Sequence, residues 1–283
     1  MSSRMRVVLT GATGYVASQL LPDFRERYDL VLLDVRADRD GTPLDDVRIA
    51  DLSNPELEVN RAFFRGADAV VHCAYTRSSV GTDSLHEGSQ YHVERNNVDL
   101  CRNVFELARL EGVPRVVVAS SNHAADWYEP LLHSGRMDVV GPETLPLAAN
   151  FYGWAKACYE HLGFIYACGS LGVRLQVVMI RIGAPREIEL RNFVGKDPAR
   201  YRRDLGAWIS ERDLRQLFAK SIEIPQIENE RGVPFQVFYG ISDNVRAFWS
   251  IVNARAVIGY APEDDSEREY ADDIAAFLHG RNR

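Results

Sequence analysis

The chain has 283 residues, a formal net charge of -7 and four cysteines. That length can bury a substantial core, either as one large α/β domain or as two unequal lobes. Because the balance is acidic and the lysines and arginines are scattered, the sequence offers no basic face to a nucleic acid or an anionic lipid surface. We therefore expect neither a nucleic acid nor a membrane among the partners.

The cysteines and histidines favour neither a disulfide framework nor a metal site. No CxxC pattern occurs, and each cysteine lies in or beside an apolar run that predicts a buried thiol: Cys73, Cys101, Cys158 and Cys168. No HExxH pattern occurs either, and the nearest histidines, His86 and His92, fall in a polar connection. We expect a cytoplasmic protein without a structural metal. Because no apolar stretch is long enough to cross a bilayer, we also expect no targeting or membrane segment.

The first part of the chain alternates short apolar runs with amphipathic segments. Strands are predicted at Arg6–Thr10, Leu30–Asp34, Val47–Ala50, Ala69–His72 and Arg115–Ser120. Helices are predicted at Ser18–Arg27 and at roughly Tyr91–Glu111, the second closed by Gly112 and Pro114. Such alternation implies a parallel sheet wound on both sides by helices.

The second part of the chain is less regular. A helix from Tyr152 to about Gly169 and a strand at Arg174–Ile182 continue the alternation. Beyond a charged stretch at 186–203, the pattern predicts a helix at Glu211–Ser221, a strand at Phe235–Tyr239 and a helix at Asp272–His279. We expect this tail to form a lobe that is packed on the sheet and selects the substrate.

A glycine turn connects the first strand to the first helix, in the order Gly11-Ala-Thr-Gly14-Tyr-Val-Ala17. The first glycine permits the tight turn, the second lets the backbone approach a pyrophosphate, and the small Ala17 allows close helix packing. The helix N-terminus would then face the phosphates. An ordinary βα turn is the alternative, but the strand before it and the acid at the end of the next strand favour a dinucleotide site.

The next two strand ends carry the groups that would meet an adenosine. Asp34 stands where a carboxylate accepts hydrogen bonds from the ribose and repels a 2′-phosphate, which favours NAD over NADP. Arg36 could instead reach a 2′-phosphate, although a solvated loop arginine is the plainer interpretation. Asp51 and Leu52 could touch the adenine edge, and an acid at such a position is also a common helix cap.

These patterns together predict the fold class and the domains. We expect a Rossmann-type, doubly wound α/β fold with a parallel sheet and a small C-terminal substrate-binding lobe. The NAD-binding domain, with its catalytic helix, would span residues 1–183. Residues 184–283 would form most of the lobe, with a segment at about 233–240 returning to the sheet.

Tyr152 and Lys156 stand four residues apart, so a helix would place a phenol and an ammonium on one face. A phenol with an ordinary pKa of ~10 is a poor base at neutral pH, but a neighbouring cation favours the phenolate. A helix that buries a tyrosine and exposes a lysine is the alternative. Downstream of a dinucleotide turn, the pair predicts a redox enzyme.

With these residues in view, the chain resembles the extended short-chain dehydrogenases/reductases, the family of the NAD-dependent epimerases and dehydratases. The resemblance runs nearly end to end, on Thr10–Ala17, Asp34, Asp51-Leu52, His72–Tyr75, Asn97, Ser120-Ser121, Tyr152, Lys156 and Ile258–Pro262. The third glycine of the turn is replaced by Ala17, and the tail is shorter than in most sugar-nucleotide enzymes of the family.

The resemblance implies the roles of the site residues. Tyr152 would be the base, Lys156 would hold the nicotinamide ribose and lower the phenol pKa, Ser121 would orient the reacting oxygen, and Asn97 would support the region around Lys156. Ser120 could face the pocket instead of Ser121, and Asn97 could be a surface residue.

The resemblance also implies a homo-oligomer built on the helices around Asn97 and at 152–169. The coenzyme would contact Gly11, Thr13, Gly14, Tyr15, Val16, Asp34, Arg36, Asp51, Leu52, Cys73, Ala74, Tyr75, Asn97, Tyr152 and Lys156.

Within that family the chain most resembles the uronate dehydrogenases, which oxidise a free hexuronic acid at C1 to the aldarolactone with NAD. The shared segments are Ala119–His123, Tyr152–Lys156, and Arg181–Gly183 followed by Arg203 and Trp208. The implied substrate contacts are Ser121, Asn122, His123, Tyr152 and Arg203, with Arg203 taking the carboxylate. Asn122 could equally cap the loop, and Arg203 could belong to a solvated charge run. Ala184 stands where those enzymes have a substrate-contacting serine.

Two other functions remain open at this point. A sugar-nucleotide epimerase or dehydratase would share the fold and the coenzyme site. The short tail leaves little room for a nucleotide diphosphate, and Ser121-Asn122-His123 stands where dehydratases of the family carry Thr-Asp-Glu. A nonenzymatic NAD(P)-sensing protein is the third possibility, and such relatives tend to lose the tyrosine and lysine that are both present here.

Overall fold

A parallel sheet of seven strands forms the centre of the protein, as described by a computed structural model for residues 4–77 and 88–280. The strands are β1 Arg6–Thr10, β2 Asp29–Asp34, β3 Asp38–Arg39, β4 Thr42–Pro43, β5 Val47–Ile49, β6 Ala69–His72, β7 Arg115–Ser121, β8 Gln176–Ile182 and β9 Phe235–Gly240. The sheet order is β5-β2-β1-β6-β7-β8-β9, and β3 and β4 form a separate hairpin. The prediction of a doubly wound α/β fold is confirmed.

The helices cover both faces of this sheet. They are α1 Tyr15–Arg27, α2 Glu58–Arg61, α3 Gly88–Leu110, α4 Glu129–His133, α5 Phe151–Ala167, α6 Pro198–Ala207, α7 Glu211–Glu223, α8 Val252–Ile258, α9 Ser266–Glu269 and α10 Ala271–Gly280. Short 3₁₀ turns at 62–64, 122–128 and 190–192 connect some of them. Within the described part of the chain, no helix has both the length and the apolar character needed to cross a membrane.

Two hydrophobic layers hold the helices to the sheet. Because side chains alternate along a strand, Val7 and Leu9 of β1 face one layer, with α1 and α7, while Val8 faces the other, with α3 and α5. The central strands are buried on both faces, as expected for a parallel sheet between helices. The edge strand β5 differs from its apolar prediction, since Ile49 is 61% exposed.

Beyond β8 the sequence analysis missed the helices α6, α8 and α9, and α6 lies within and just beyond the charged stretch 186–203. Pro198 occupies the first turn of α6, and the Asp197 side chain caps it by accepting a hydrogen bond from the Ala199 amide. Tyr201 and Leu205 on its inner face join a small apolar cluster with Ile188, Trp208 and residues of α10. The charged residues between them hid this periodicity.

All seven strands run in one direction, so their carboxyl ends lie along one edge of the sheet. Open α/β sheets bind ligands at this edge. Gly11 follows β1, Asp34 ends β2, Cys73 follows β6, Ser121 ends β7 and Gly183 follows β8. The fold therefore gathers the sequence-predicted residues on one side of the protein.

Candidate active site

The glycine turn has the geometry of a phosphate cradle. Gly11 has a positive φ of 69°, and a Cβ there would lie 2.5 Å from the backbone of Ala74. Gly14 begins α1 without a side-chain cap, and the first turn of that helix carries no acidic residue. The free amides and the positive end of the 13-residue helix are therefore available to an anion. These features fit a dinucleotide pyrophosphate.

Asp34, at the carboxyl end of β2, is fixed beside this cradle. Its Oδ2 accepts hydrogen bonds from the amide and the hydroxyl of Thr13, at 2.9 and 2.8 Å, and its Oδ1 accepts one from Val35. Arg36 Nε donates to the Thr13 hydroxyl at 3.3 Å. Asp34 and Arg36, the two residues predicted to influence the choice between NAD and NADP, therefore both contact Thr13. The hairpin β3–β4 adds Arg39 over the ring of the half-exposed Tyr15.

Asp51 and Leu52 have local roles in the described structure. The Asp51 carboxylate accepts hydrogen bonds from the amide and hydroxyl of Ser53, and its carbonyl accepts one from Asn60. Leu52 is buried in the core. An adenine contact by either residue stays a prediction.

The segment after β6 forms the floor between the glycine turn and α3. Ala74 touches Gly11, and burial raises the pKa of the neighbouring Cys73 thiol to about 12. Asn97 of α3 accepts a hydrogen bond from the Thr76 amide at 2.8 Å and donates one to its carbonyl at 3.0 Å. Asn97 therefore fixes this floor, and no direct bond from it to Lys156 occurs in the described structure.

Helix α5 approaches the loop after β7 very closely at its first turn. The Asn150 side chain caps α5 by accepting a hydrogen bond from the Gly153 amide at 2.8 Å, and it donates to Asp126 at 2.7 Å. A Cβ on Gly153 would lie 2.2 Å from the carbonyl oxygen of His123. A glycine is required here, and its contact brings Tyr152 to the end of β7.

Tyr152 lies half-buried beside Ser121, with its ring against those of Tyr75 and His123, at 5.5 and 5.7 Å between centroids. Burial raises the pKa of the phenol, while the neighbouring Ser121 hydroxyl and the charge of Arg77 lower it. That Lys156 lowers this pKa stays a prediction. Desolvation is the largest influence, and the ammonium is directed elsewhere.

Lys156 shares the helix face of Tyr152, as predicted, and is almost fully buried. Its ammonium donates to the carbonyl oxygen of Ala119 at 3.1 Å. Three tyrosine rings surround it, with centroids 4.4 Å away for Tyr159, 5.2 Å for Tyr75 and 5.6 Å for Tyr152. Burial lowers the pKa of Lys156 to about 8.

The choice between the two serines is visible in their contacts. The Ser120 hydroxyl donates to Glu160 at 3.2 Å, on the side of a buried ion pair between Glu160 and Arg181. The Ser121 hydroxyl accepts a hydrogen bond from the His123 amide at 3.2 Å, donates one to Asn122 Oδ1 at 3.4 Å, and lowers the pKa of the Tyr152 phenol. Ser121 is therefore the serine on the catalytic side.

The remaining residues of this loop present polar groups to the site. Asn122 is almost fully buried, and its Nδ2 has no hydrogen-bond partner among residues 4–77 and 88–280. His123 is 35% exposed and its Nδ1 lies 3.0 Å from Asp126. A buried amide donor without a partner is costly, so it fits a position that a bound hydroxyl would satisfy.

Arg203 does not offer a free guanidinium in the described structure. Its Nε and Nη2 donate to Glu129 at 3.1 and 3.0 Å, and its Nη1 donates to Asp204 at 3.3 Å. The side chain is only 12% exposed and lies over the ring of Trp249. Arg203 could bind a substrate carboxylate only if the Glu129 carboxylate moved away from its guanidinium. Substrate binding by Arg203 stays a prediction.

Sequence reasoning missed several residues that the fold brings to the site. Glu129 reaches Arg203 from α4, and Arg77 influences the Tyr152 phenol from the segment after β6. Glu94 lies one turn before Asn97 on α3 and is fully buried. Its only signal in the sequence is the spacing of three residues to Asn97, which places both on one helix face.

Comparison with known proteins agrees with this geometry. Residues 7–182 match the NAD dependent epimerase/dehydratase family. The chain is 35% identical over 276 residues to the NAD-dependent glucose-6-phosphate dehydrogenase of Haloferax volcanii, covering 92% of this chain and 94% of that protein. It is 29% identical over 267 residues to the uronate dehydrogenase of Pseudomonas putida, covering 93% and 85%.

Solved structures show the same fold. The uronate dehydrogenase of Agrobacterium tumefaciens superimposes with a TM-score of 0.73 at 22% identity, covering 97% of this chain and 90% of that one. The expectations of a short-chain dehydrogenase/reductase fold, of an oxidoreductase and of NAD as coenzyme are confirmed. The chain belongs to the NAD-dependent epimerase/dehydratase family of extended short-chain dehydrogenases/reductases.

Proposed function

We propose that the protein oxidises the C1 hydroxyl of a free sugar acid, a hexuronate, to its aldarolactone with NAD. One observation carries the reaction type. The Tyr152 phenol lies close enough to the Ser121 hydroxyl for that hydroxyl to lower its pKa, and Lys156 lies one helical turn away, at the carboxyl edge of the sheet beside the glycine turn. This arrangement places a base, a hydroxyl donor and a cation around one position.

The chain's own residues have separate tasks in this proposal. The N-terminus of α1 and the Asp34 carboxylate would hold the pyrophosphate and the adenosine ribose, and Lys156 would hold the nicotinamide ribose. NAD, when bound, supplies the nicotinamide carbon that accepts the hydride. Ser121 orients the sugar oxygen, and the Tyr152 phenolate takes the proton from it. The sugar loses one hydride and one proton, which converts the hemiacetal carbon into a lactone carbonyl.

The polar loop after β7 supports a sugar as substrate. Asn122 Nδ2 is buried and unpartnered among the described residues, and the imidazole of His123 is partly exposed beside Tyr152. Both can hydrogen-bond to sugar hydroxyls. The relatives' names also concern sugars: uronates, glucose 6-phosphate and, in a 28% identical protein of Haloferax volcanii, L-arabinose.

A hexose 6-phosphate is a second candidate substrate. The relative that is 35% identical is named for glucose 6-phosphate, and the guanidinium of Arg203 is already held by Glu129. Hexuronates and hexose 6-phosphates share the C1 hemiacetal and carry an anion at C6. The same Tyr152 site would serve both, and only the cation that meets the anionic group would differ.

A substrate panel tests the proposal. Purified enzyme is offered glucuronate, galacturonate, glucose 6-phosphate, glucose, L-arabinose and UDP-glucuronate with NAD or NADP, while the reduced nicotinamide absorbance is followed. Net NADH with a hexuronate, and a lactone product, would support the first candidate, and net NADH with glucose 6-phosphate alone would support the second. Turnover of neutral aldoses only would remove the anion-binding role from Arg203. Conversion of a UDP-sugar without net NADH would favour an epimerase.

We also propose that the protein forms a homo-oligomer through α3 and α5. Phe164 and Ile165 of α5 are 42% and 45% exposed, and Tyr91 of α3 is 38% exposed. Exposed apolar side chains on two helices that pack side by side mark a protein interface. Light scattering after size exclusion measures the mass, and Phe164→Arg should reduce it if these helices form the contact. A monomer at micromolar concentration would contradict this proposal.

A further inference from the structure

Glu94 is a buried carboxylate beside the catalytic site. It is fully buried on α3, and it makes no ion pair with any residue of the described ranges. Its Oε1 accepts a hydrogen bond from the Tyr75 hydroxyl at 2.5 Å, and its Oε2 lies 3.4 Å from Asn97 Nδ2. A buried carboxyl group without a paired cation destabilises a fold, so packing alone gives no reason for an acid here.

Tyr75 connects Glu94 to both catalytic groups. Its ring meets the ring of Tyr152 edge-on, with centroids 5.5 Å apart and planes at 85°. The Lys156 ammonium lies 5.2 Å from the centre of the same Tyr75 ring. Since Glu94 holds the hydroxyl of that ring, a single hydrogen bond fixes the surface on which Tyr152 and Lys156 both rest.

We propose that Glu94 is a positioning residue of the active site, whose buried negative charge keeps the Lys156 ammonium charged and whose hydrogen bond holds Tyr75 against Tyr152. The hydrogen-bonding role is supported by geometry, because the Tyr75 ring that Glu94 holds lies against the ring of Tyr152. The electrostatic role is supported by burial, because a carboxylate inside a poorly hydrated site acts on a nearby cation such as Lys156 with little screening.

The sign of the electrostatic effect follows from the groups around the site. The charge of Glu94 raises the pKa of Lys156, opposing the larger effect of burial, and it also raises the pKa of Tyr152. Lys156 in turn lowers the pKa of Glu94, which burial raises.

Other titratable groups also act on Glu94, Lys156 and Tyr152. Among the described residues these are Cys73, Tyr75, Arg77 and Cys101. His72 and Tyr159 lie against the same ammonium. Removing the charge of Glu94 should therefore lower the pKa of both Lys156 and Tyr152.

A lysine titration tests the charge directly, without substrate or coenzyme. The chain has three lysines, Lys156, Lys196 and Lys220, so labelled lysine side chains give few NMR signals to assign. Glu94→Gln should lower the pKa of Lys156 by roughly half a unit or more. Asp99→Asn removes an exposed acid from the same helix and should leave that pKa unchanged. An unchanged Lys156 pKa in folded Glu94→Gln would overturn the proposal.

The kinetic test rests on the proposed function and uses whichever sugar is turned over. In Glu94→Gln the acid and alkaline limbs of kcat/KM should both move to lower pH, and kcat should fall roughly tenfold with little change in KM. A merely structural role would lower activity at all pH values without moving the limbs. Should no sugar be oxidised, the proposed function fails while the lysine titration still decides the role of Glu94.

A shorter acid separates charge from contact. Glu94→Asp keeps the negative charge but cannot reach the Tyr75 hydroxyl from the same backbone position. We expect the Lys156 pKa to stay close to that of the parent protein while kcat falls. Glu94→Asp also tests the proposal if Glu94→Gln does not fold. An unchanged kcat in Glu94→Asp would show that the hydrogen bond to Tyr75 has no role in catalysis. A lowered pKa of Lys156 in this variant, which keeps the negative charge, would show that this charge does not hold the ammonium in its charged form.

Discussion

The Lys156 ammonium is bound to the carbonyl oxygen of Ala119 at 3.1 Å, and it meets the Tyr152 ring only at 5.6 Å from its centre. The cation is therefore fixed to the end of β7 rather than to the phenol. Since burial raises the pKa of Tyr152, the base needs help from polar groups near its oxygen, and the Ser121 hydroxyl acts in that direction by lowering the pKa.

The first prediction concerns pH. Tyr152 acts as a base only when it is deprotonated, and burial raises its pKa above the ordinary value, so kcat/KM for oxidation should rise with pH from neutrality into the alkaline range. Burial lowers the pKa of Lys156 to about 8, so its ammonium is lost as the pH rises through that value. Initial rates from roughly pH 6 to 10 measure both limbs. Oxidation that is fastest at pH 6 would contradict this assignment of the base.

The second prediction removes the base. Tyr152→Phe should lower kcat by roughly 10²–10⁴-fold, because proton abstraction is lost while the ring stays in place. NADH binding, followed by nicotinamide fluorescence, should be nearly unchanged. Tyr166→Phe on the same helix is the matched control, since it loses only a hydrogen bond to Glu106 and should keep full activity. Equal rates for Tyr152→Phe and the parent enzyme would show that another group is the base.

The third prediction concerns coenzyme choice. The Asp34 carboxylate is held by Thr13, and if it contacts the adenosine ribose its negative charge would repel the 2′-phosphate of NADP. Asp34→Asn keeps an acceptor for Thr13 but removes the repulsion beside Arg36, so the ratio of kcat/KM for NADP to that for NAD should rise roughly tenfold or more.

The control for this change is available on the same strand. Asp29→Asn removes an exposed acid at the opposite end of β2 and should leave the coenzyme ratio unchanged. If Asp34→Asn and Asp29→Asn give the same ratio, Asp34 does not select the coenzyme.

The sequence allowed the coenzyme half of the site to be predicted because its signals are local. The turn from Gly11 to Ala17 and the acid at Asp34 depend only on short-range order along the chain, and the structure places them together at one sheet edge. Tyr152 and Lys156 likewise share a helix face because of a spacing that the sequence displays.

The substrate half depends on contacts between distant residues, and these were not predictable. Glu129 lies 74 positions from Arg203, so nothing in the charge run around Arg203 indicates that its donors are occupied. Glu94 resembled any acid on the polar face of an amphipathic helix. Its burial follows only from the way α3 packs against the segment after β6 and against α5.

The last prediction uses Glu129 to decide which anion the site accepts. Glu129→Gln removes the charge that neutralises Arg203 while keeping an oxygen that can accept its hydrogen bond. If Arg203 meets a substrate carboxylate, the variant should bind hexuronates more tightly, with KM lowered several-fold, because a carboxylate no longer competes for the guanidinium.

Arg203→Gln in the Glu129→Gln background completes the test. It should reverse the gain in KM for hexuronates, since the guanidinium is then absent. The double variant also avoids the unpaired, partly buried Glu129 carboxylate that would destabilise Arg203→Gln alone. Thermal unfolding of each variant separates binding from stability. If the KM for every anionic sugar is the same with and without Arg203, the ion pair with Glu129 joins α4 to α6 for stability alone, and the substrate anion meets a different cation.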